Sequence, residues 1–124
     1  MYHSDNIFAK ILRKEIPCDP IFENDDVLAF KDISPVAPVH VLVIPKSAYV
    51  SMDDFSAKAS DQEIVTLMRA VGEVARQLGL EKDGYRVISN VGEFGGQQVP
   101  HLHFHILGGE KIGSLRPGAE DTHA

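Results

Sequence analysis

Hydrophobic and polar positions repeat along the chain with two different periods, which divide it into strands and helices. Segments of apolar and β-branched residues, one of which alternates strictly between polar and apolar positions, are bounded by turn residues and predict five short strands. These strands cover residues 21–23, 27–30, 39–44, 85–90 and 101–107. The first two are joined by Asn24-Asp25-Asp26, which is typical of a turn, so they should form a hairpin.

Helical spacing of apolar residues predicts a helix near the start of the chain and a longer one in the middle. Asp5 or Asn6 can cap the first helix, which Pro17 should stop. The segment from Ser60 to Glu63 has the form of a capping box and opens the second, which should end near Gly79. A short helical turn is expected over residues 51–55. The order of elements predicts an α+β fold, a five-stranded antiparallel sheet with helices on one face.

The strand predicted over residues 101–107 is unusual because each of its polar positions is a histidine. Successive side chains on a strand point to opposite faces, so the three histidines share one face, about 6.5–7 Å apart per step. An imidazole titrates closest to neutral pH, and it can donate or accept protons, attack an electrophile or bind a metal. The candidate functional residues of this strand are His101, His103 and His105.

The composition of the chain argues against some classes of function and partner. The chain has 124 residues, which suits one domain, and its net charge of −6 without a basic run argues against a nucleic-acid polymer as partner. A single nucleotide is not excluded. Cys18 is the only cysteine, and there is neither a signal-peptide pattern nor an apolar run of about 18 residues, so no membrane span and a cytoplasmic location are expected.

Two further features could take part in the chemistry of the histidine strand: the segment that precedes it and a histidine on another predicted strand. Residues 91–100 contain three glycines, and this segment is either a loose connection or a loop whose N–H groups hold an anion. His40 interrupts an apolar strand, and it is either a core residue or a fourth functional histidine.

The histidines fit two kinds of chemistry. A metal site would use His101 and His103 with His105 or His40, but histidines spaced along one strand cannot all reach one ion at about 2.1 Å. Nucleophilic catalysis fits better, because a neutral imidazole attacks well at pH 7 and a glycine-rich loop can hold an anion. This combination favours phosphorus chemistry through a phosphorylated histidine.

The segment His101-Leu102-His103-Phe104-His105-Ile106-Leu107 resembles the motif that defines the histidine triad (HIT) family. Residues 30–46 and 90–109 are similar to its Hint branch of nucleotide-binding phosphoramidases. The similarity covers about residues 5–109 of a single HIT domain spanning 1–124, in which 110–124 form a C-terminal tail that includes Arg116-Pro117-Gly118 and His123.

This resemblance implies a homodimer, in which two sheets join into one of ten strands. It implies hydrolysis of adenosine and other purine nucleoside 5′-phosphoramidates to the nucleoside monophosphate and an amine, with neither metal nor cofactor. His103 would be the nucleophile. His105 would bond a phosphate oxygen or help the leaving group, and His101 would orient His103, with His40 behind it.

The resemblance also implies a nucleotide-binding set. Asp32 would accept hydrogen bonds from the ribose hydroxyls, although a turn residue bonding its own backbone explains Asp32 equally well from the sequence alone. The residues expected to contact the phosphate region are Asn90, Gly96, Gln97 and Gln98. The expected walls of the base pocket, which could equally be core, are Ile7, Phe8, Ile11, Phe30, Ile33 and Leu42.

The chain departs from the Hint pattern at several positions. Gln98 stands where many members have serine, Pro100 replaces a frequent tyrosine, and the tail lacks tryptophan. Asn6 and Ala9 occupy the positions of a zinc-binding cysteine pair in some relatives, which argues against structural zinc. Two alternatives stay open: a dinucleoside polyphosphate hydrolase of another HIT branch, and a nucleotide-binding regulatory adaptor with vestigial catalysis.

Overall fold

The computed structural model describes residues 1–116, and Pro117, Gly118 and His123 of the expected tail lie outside them. This part of the chain forms three helices and five strands. In chain order they are α1 (Ile7–Leu12), β1 (Pro20–Glu23), β2 (Val27–Lys31), β3 (Val39–Pro45), α2 (Met52–Lys58), α3 (Asp61–Gln77), β4 (Arg86–Ile88) and β5 (Phe104–Gly108). None of these three helices is long and apolar enough to cross a membrane.

The helices begin at side chains that satisfy their first free N–H groups. The Oδ1 atom of Asn6 accepts a hydrogen bond from the backbone N of Ala9 at 2.9 Å, which starts α1. The predicted capping box from Ser60 to Glu63 is confirmed at the start of α3. A second box, from Ser51 to Asp54, opens α2 in the same way.

The end of α1 differs from the prediction. The helix ends at Leu12, several residues before Pro17. Lys14 adopts a positive φ of 63°, and the N–H groups of Lys14 and Glu15 bond back to the carbonyls of Ile11 and Lys10. The chain therefore leaves the helix through a left-handed residue, and the proline is not what stops it.

The five strands form one antiparallel sheet in the order β1-β2-β3-β5-β4, as the pattern predicted. The helices α2 and α3 cover one face, where Val41 and Val43 of β3 pack with Leu67 and Val74 of α3. Full burial of one such side chain contributes about 1.5–3 kcal/mol. The short α1 lies against the opposite face, where Phe8 packs with the intervening β3 residue, Leu42.

The histidine strand is shorter than predicted. β5 begins at Phe104, so His101 and His103 precede it and only His105 lies within it. The reason is a change of hydrogen-bond partner, because the N–H of Leu102 bonds to the carbonyl of Tyr49, at 2.8 Å, before the ladder with β3 begins at Phe104. The three imidazoles therefore do not form one evenly spaced row on a single strand.

Candidate active site

A cavity of about 410 Å³ opens on the face of the sheet that carries α1. It lies where α1, the loop after β2, the glycine-containing loop over residues 90–98 and the histidine segment meet. We call the loop over residues 90–98 the glycine loop. The lining residues are Phe8, Asp32, Ser34, Val36, His40, Leu42, Ile88, Asn90, Gly96, Gln98, Val99, His103, His105 and Leu107.

His103 is held in one tautomer by the backbone. Its Nδ1 atom lies 2.7 Å from the carbonyl oxygen of His101. A carbonyl oxygen only accepts, so Nδ1 carries the hydrogen and Nε2 keeps its lone pair. The ring of Phe8 packs edge-on against the imidazole, with centroids 4.9 Å apart, and burial lowers the pKa of His103. The result is a neutral imidazole with an available nucleophilic nitrogen.

His105 is held by a second histidine on the neighbouring strand. The backbone N–H of Val36 donates to Nδ1 of His40 at 3.2 Å, so the neutral His40 ring carries its hydrogen on Nε2. That Nε2 donates to Nδ1 of His105 at 2.9 Å, which leaves His105 with its own hydrogen on Nε2. Burial, together with the neighbouring His103 and His40 rings, lowers the pKa of His105 to about 4. His105 is therefore a neutral hydrogen-bond donor beside the His103 ring.

Asp32 joins this cluster from the loop after β2. One of its carboxylate oxygens accepts from the backbone N–H of Ser34 at 2.8 Å, and the other lies 3.4 Å from Nε2 of His40. The first contact forms the kind of turn that an aspartate makes by bonding to the backbone two residues further on. The second places a negative charge at the edge of the cavity, where it can accept hydrogen bonds from a ligand.

The glycine loop is held in shape by its own side chains. Asn90 donates from Nδ2 to the carbonyl of Gly95 at 2.7 Å, and the N–H of Gly92 donates to Oε1 of Gln97 at 2.9 Å. The amide of Gln97 also donates to the carbonyls of Val50 and Val99. Gly96 adopts φ 79°, a left-handed conformation that favours glycine.

Comparison with known proteins places this geometry in a family. The HIT domain family matches residues 13–112 of the chain. The chain belongs to the HIT family. It is 56% identical over 114 residues to a 13.2 kDa HIT-like protein of Azospirillum brasilense, covering 92% of this chain and 93% of that protein.

This HIT protein is also similar to an enzyme and to a solved structure of a hydrolase. The purine nucleoside phosphoramidase of Escherichia coli strain K12 is 42% identical over 111 residues, which cover 90% of this chain and 92% of that enzyme. The solved structure of a HIT family hydrolase from Clostridium thermocellum has a TM-score of 0.82 and 40% identity, covering 90% of this chain and 96% of that one. The second comparison supports the five-stranded antiparallel fold independently.

The residues expected at the HIT site from the sequence fall into three groups. Those lining the cavity are His40, His103, His105, Asp32, Phe8, Leu42, Asn90, Gly96 and Gln98. Those that are buried but do not line it are His101, Phe30 and Ile11, and the Phe30 ring lies edge-on to that of Phe8 with centroids 5.6 Å apart. Ile7 and Ile33 are 40% and 88% exposed, and neither lines the cavity; Gln97 contacts only its loop and neighbouring backbone.

His40 lies against His105 rather than behind His101, where the resemblance put it. The sequence reasoning also passed over five lining residues: Ser34, Val36, Ile88, Val99 and Leu107. The alternation of side chains along a strand could have identified Leu107, which shares the face of His105. Ile88 pairs with His105 in the β4–β5 register, so it lies beside that residue.

Asp32, His40 and His105 offer one possible metal ligand each, all within 4.8 Å of one another. Three protein ligands and a water are what a catalytic zinc ion takes. Nε2 of His40 carries its hydrogen, however, because Nδ1 is engaged with Val36. In this tautomer the ring nitrogen that faces the cluster donates a hydrogen bond and has no lone pair for an ion.

Proposed function

We propose that the chain is a purine nucleoside phosphoramidase, which hydrolyses adenosine 5′-phosphoramidates to AMP and an amine. The observation that carries the proposal is the hydrogen bond from Nδ1 of His103 to the carbonyl of His101, which leaves Nε2 free on a ring that lines the cavity. The 42% identity to the Escherichia coli purine nucleoside phosphoramidase supports the choice of reaction.

In the proposed mechanism, Nε2 of His103 attacks the phosphorus atom and the phosphorus–nitrogen bond breaks. The leaving amine takes a proton from a water molecule, which becomes hydroxide, and the nucleotide remains bonded to His103. A second water molecule then attacks phosphorus, breaks the His103–phosphorus bond and gives up a proton that neutralises the hydroxide, so the products are AMP and the amine. The carbonyl of His101, 2.7 Å from Nδ1, stabilises the positive charge that the imidazole ring acquires in the intermediate.

His105 and the glycine loop would stabilise the negative charge on the reacting phosphate. The Nε2–H of His105 donates to a non-bridging oxygen, and its ring lies with its centroid 5.0 Å from that of His103. Gly96 and Gln98 line the same cavity and would contact the remaining oxygens. Because His40 fixes the tautomer of His105, it acts in this scheme by positioning that donor.

Nucleotide binding would use the other side of the cavity. Asp32 has an oxygen that is not engaged with Ser34, and this oxygen would accept from the ribose hydroxyls. Phe8 and Leu42 supply an apolar wall for the purine base, with Phe30 packed behind Phe8.

We also propose that the chain is a homodimer. The three-residue strand β4 is at one edge of the sheet, beyond β5, and Val87 within it and Tyr85 just before it are exposed hydrophobic residues. Pairing of two such edges would join the sheets into one of ten strands and relieve an open edge. The mass of the protein in solution tests this arrangement.

The decisive experiment for the reaction replaces the nucleophile. His103→Ala should lower kcat for a fluorogenic adenosine phosphoramidate by about a thousandfold or more, as removal of a nucleophile does in other enzymes, and should still bind AMP. His3→Ala, which removes an exposed imidazole outside the cavity, is the matched control. Near-normal turnover by His103→Ala would refute the mechanism. Faster turnover of diadenosine polyphosphates than of phosphoramidates by the unaltered protein would refute the substrate assignment.

A further inference from the structure

The buried ring of His101 is held at both of its nitrogens. Its Nε2 lies 2.8 Å from the carbonyl oxygen of Pro45, and its Nδ1 lies 2.6 Å from the hydroxyl of Tyr2. The carbonyl only accepts, so Nε2 carries the hydrogen and Nδ1 accepts from the tyrosine. The ring is wholly inaccessible to solvent. Its orientation therefore depends on these two bonds and on the side chains packed around it.

Tyr2 lies before the part of the chain that matches the HIT family, and its position is fixed by α1. The side chain and backbone of Asn6 both bond to the carbonyl of His3, and Arg13 donates to the carbonyl of Ser4. This brings the Tyr2 ring edge-on to the His101 ring, with centroids 5.5 Å apart. The tyrosine reaches a residue that is 99 positions away in sequence.

The peptide of His101 is the group that holds the reacting imidazole. Its carbonyl accepts from Nδ1 of His103, and its N–H bonds to the carbonyl of Val99. Movement of the His101 side chain would move this carbonyl. His103 would then be free to place its hydrogen on Nε2, and in that tautomer the cavity-facing nitrogen has no lone pair.

We propose that Tyr2 is a positioning residue for the reaction: its hydroxyl fixes the His101 ring, and the His101 peptide in turn fixes the tautomer and place of His103. The kinetic part of this inference rests on the proposed function, whereas its structural part does not. Without the hydroxyl, Nδ1 of His101 is an unpaired buried acceptor, which the ring can relieve only by turning or by admitting water.

The test is Tyr2→Phe, with Tyr49→Phe as the matched control. Tyr49 also loses one hydroxyl hydrogen bond on this change, to Oε1 of Glu63 at 3.0 Å, but its side chain does not bond to a histidine. Tyr2→Phe should lower kcat for an adenosine phosphoramidate about tenfold, the fold-change of one lost hydrogen bond, with little change in AMP affinity. Tyr49→Phe should keep the kcat of the unaltered protein.

Long-range ¹H–¹⁵N spectra of the imidazoles give a readout that does not depend on turnover. The unaltered protein should show His103 with its hydrogen on Nδ1, and Tyr2→Phe should show a mixture of tautomers. If the unaltered protein fails to turn over a phosphoramidate, the proposed function fails and the spectra alone decide the role of Tyr2. Unchanged His103 spectra in Tyr2→Phe would overturn the inference, and so would equal losses of kcat and stability in the two variants.

Discussion

Replacement of Gly95 by alanine should damage the site without unfolding the protein. A Cβ atom at Gly95 would lie 2.9 Å from the backbone N and 3.0 Å from the carbonyl carbon of Val91, and closer still to its carbonyl oxygen. Ordinary contacts begin near 3.4 Å, and the carbonyl oxygen is the closest atom, so the backbone must move by about an ångström to relieve the clash fully. Backbone cannot give way as a flexible side chain can. The glycine loop must therefore open, and the bond from Asn90 to the Gly95 carbonyl weakens with it.

The magnitude follows from the position of the loop beside the cavity. A misplacement of about 1 Å in a catalytic site costs roughly a hundredfold in rate, so even half of this movement transmitted to the cavity should cost about tenfold. We expect Gly95→Ala to lower kcat/KM for an adenosine phosphoramidate about tenfold or more, and to weaken AMP binding measured by calorimetry. Because residues 92–96 are exposed, the melting temperature should change little.

Gly79→Ala is the control for a general loss of stability. Gly79 follows α3 with φ 74° and has open space around it, so alanine there costs roughly 1–2 kcal/mol of left-handed strain and touches no part of the site. It should lower the melting temperature and leave kcat/KM unchanged. If Gly95→Ala retained kcat/KM within about threefold of the unaltered protein, the steric argument would be wrong.

Two further predictions concern the histidines. His40→Ala removes the donor to Nδ1 of His105 and should lower kcat about tenfold, measured with the same substrate; an unchanged kcat would show that His105 needs no partner. Folding lowers the pKa values of His101, His103 and His105 below the ordinary 6.5, chiefly through burial, and that of His105 falls to about 4. Between pH 6.5 and pH 4 the unfolded chain therefore binds more protons than the folded one. The free energy of unfolding, measured by denaturant titration, should therefore fall as pH drops from about 6.5 to about 4, and a flat profile would contradict burial of neutral rings.

Much of the fold follows from local signals in the sequence. The apolar run over residues 39–44 predicted the strand β3, and in the structure Val41 and Val43 face α3 while Leu42 faces α1. Ser60 and Glu63 predicted the start of α3 because a capping box needs only four neighbouring residues. The glycine loop and the histidines were singled out because their residue types are chemically distinctive.

The remaining features depend on contacts between distant parts of the chain. The alternation of residues 101–103 looks like a strand, but Leu102 bonds to Tyr49, and nothing in the local pattern announces that partner. The contact from Tyr2 to His101 is of the same kind. Val36 and Val99 line the cavity with ordinary apolar side chains, which carry no chemical signal in a sequence.

The pairing of β3 with β5 places Leu42 beside His105 on the face that carries α1, while Val41 pairs with Ile106 on the face under α3. A slip of one residue in this alignment would point the His105 side chain into the hydrophobic core under α3 and move Ile106 to the opposite face. A misaligned chain could keep nearly the same content of strand and helix, so circular dichroism would scarcely distinguish it from the native form. Recovery of the proposed phosphoramidase activity after refolding would therefore report correct strand alignment, which circular dichroism does not detect.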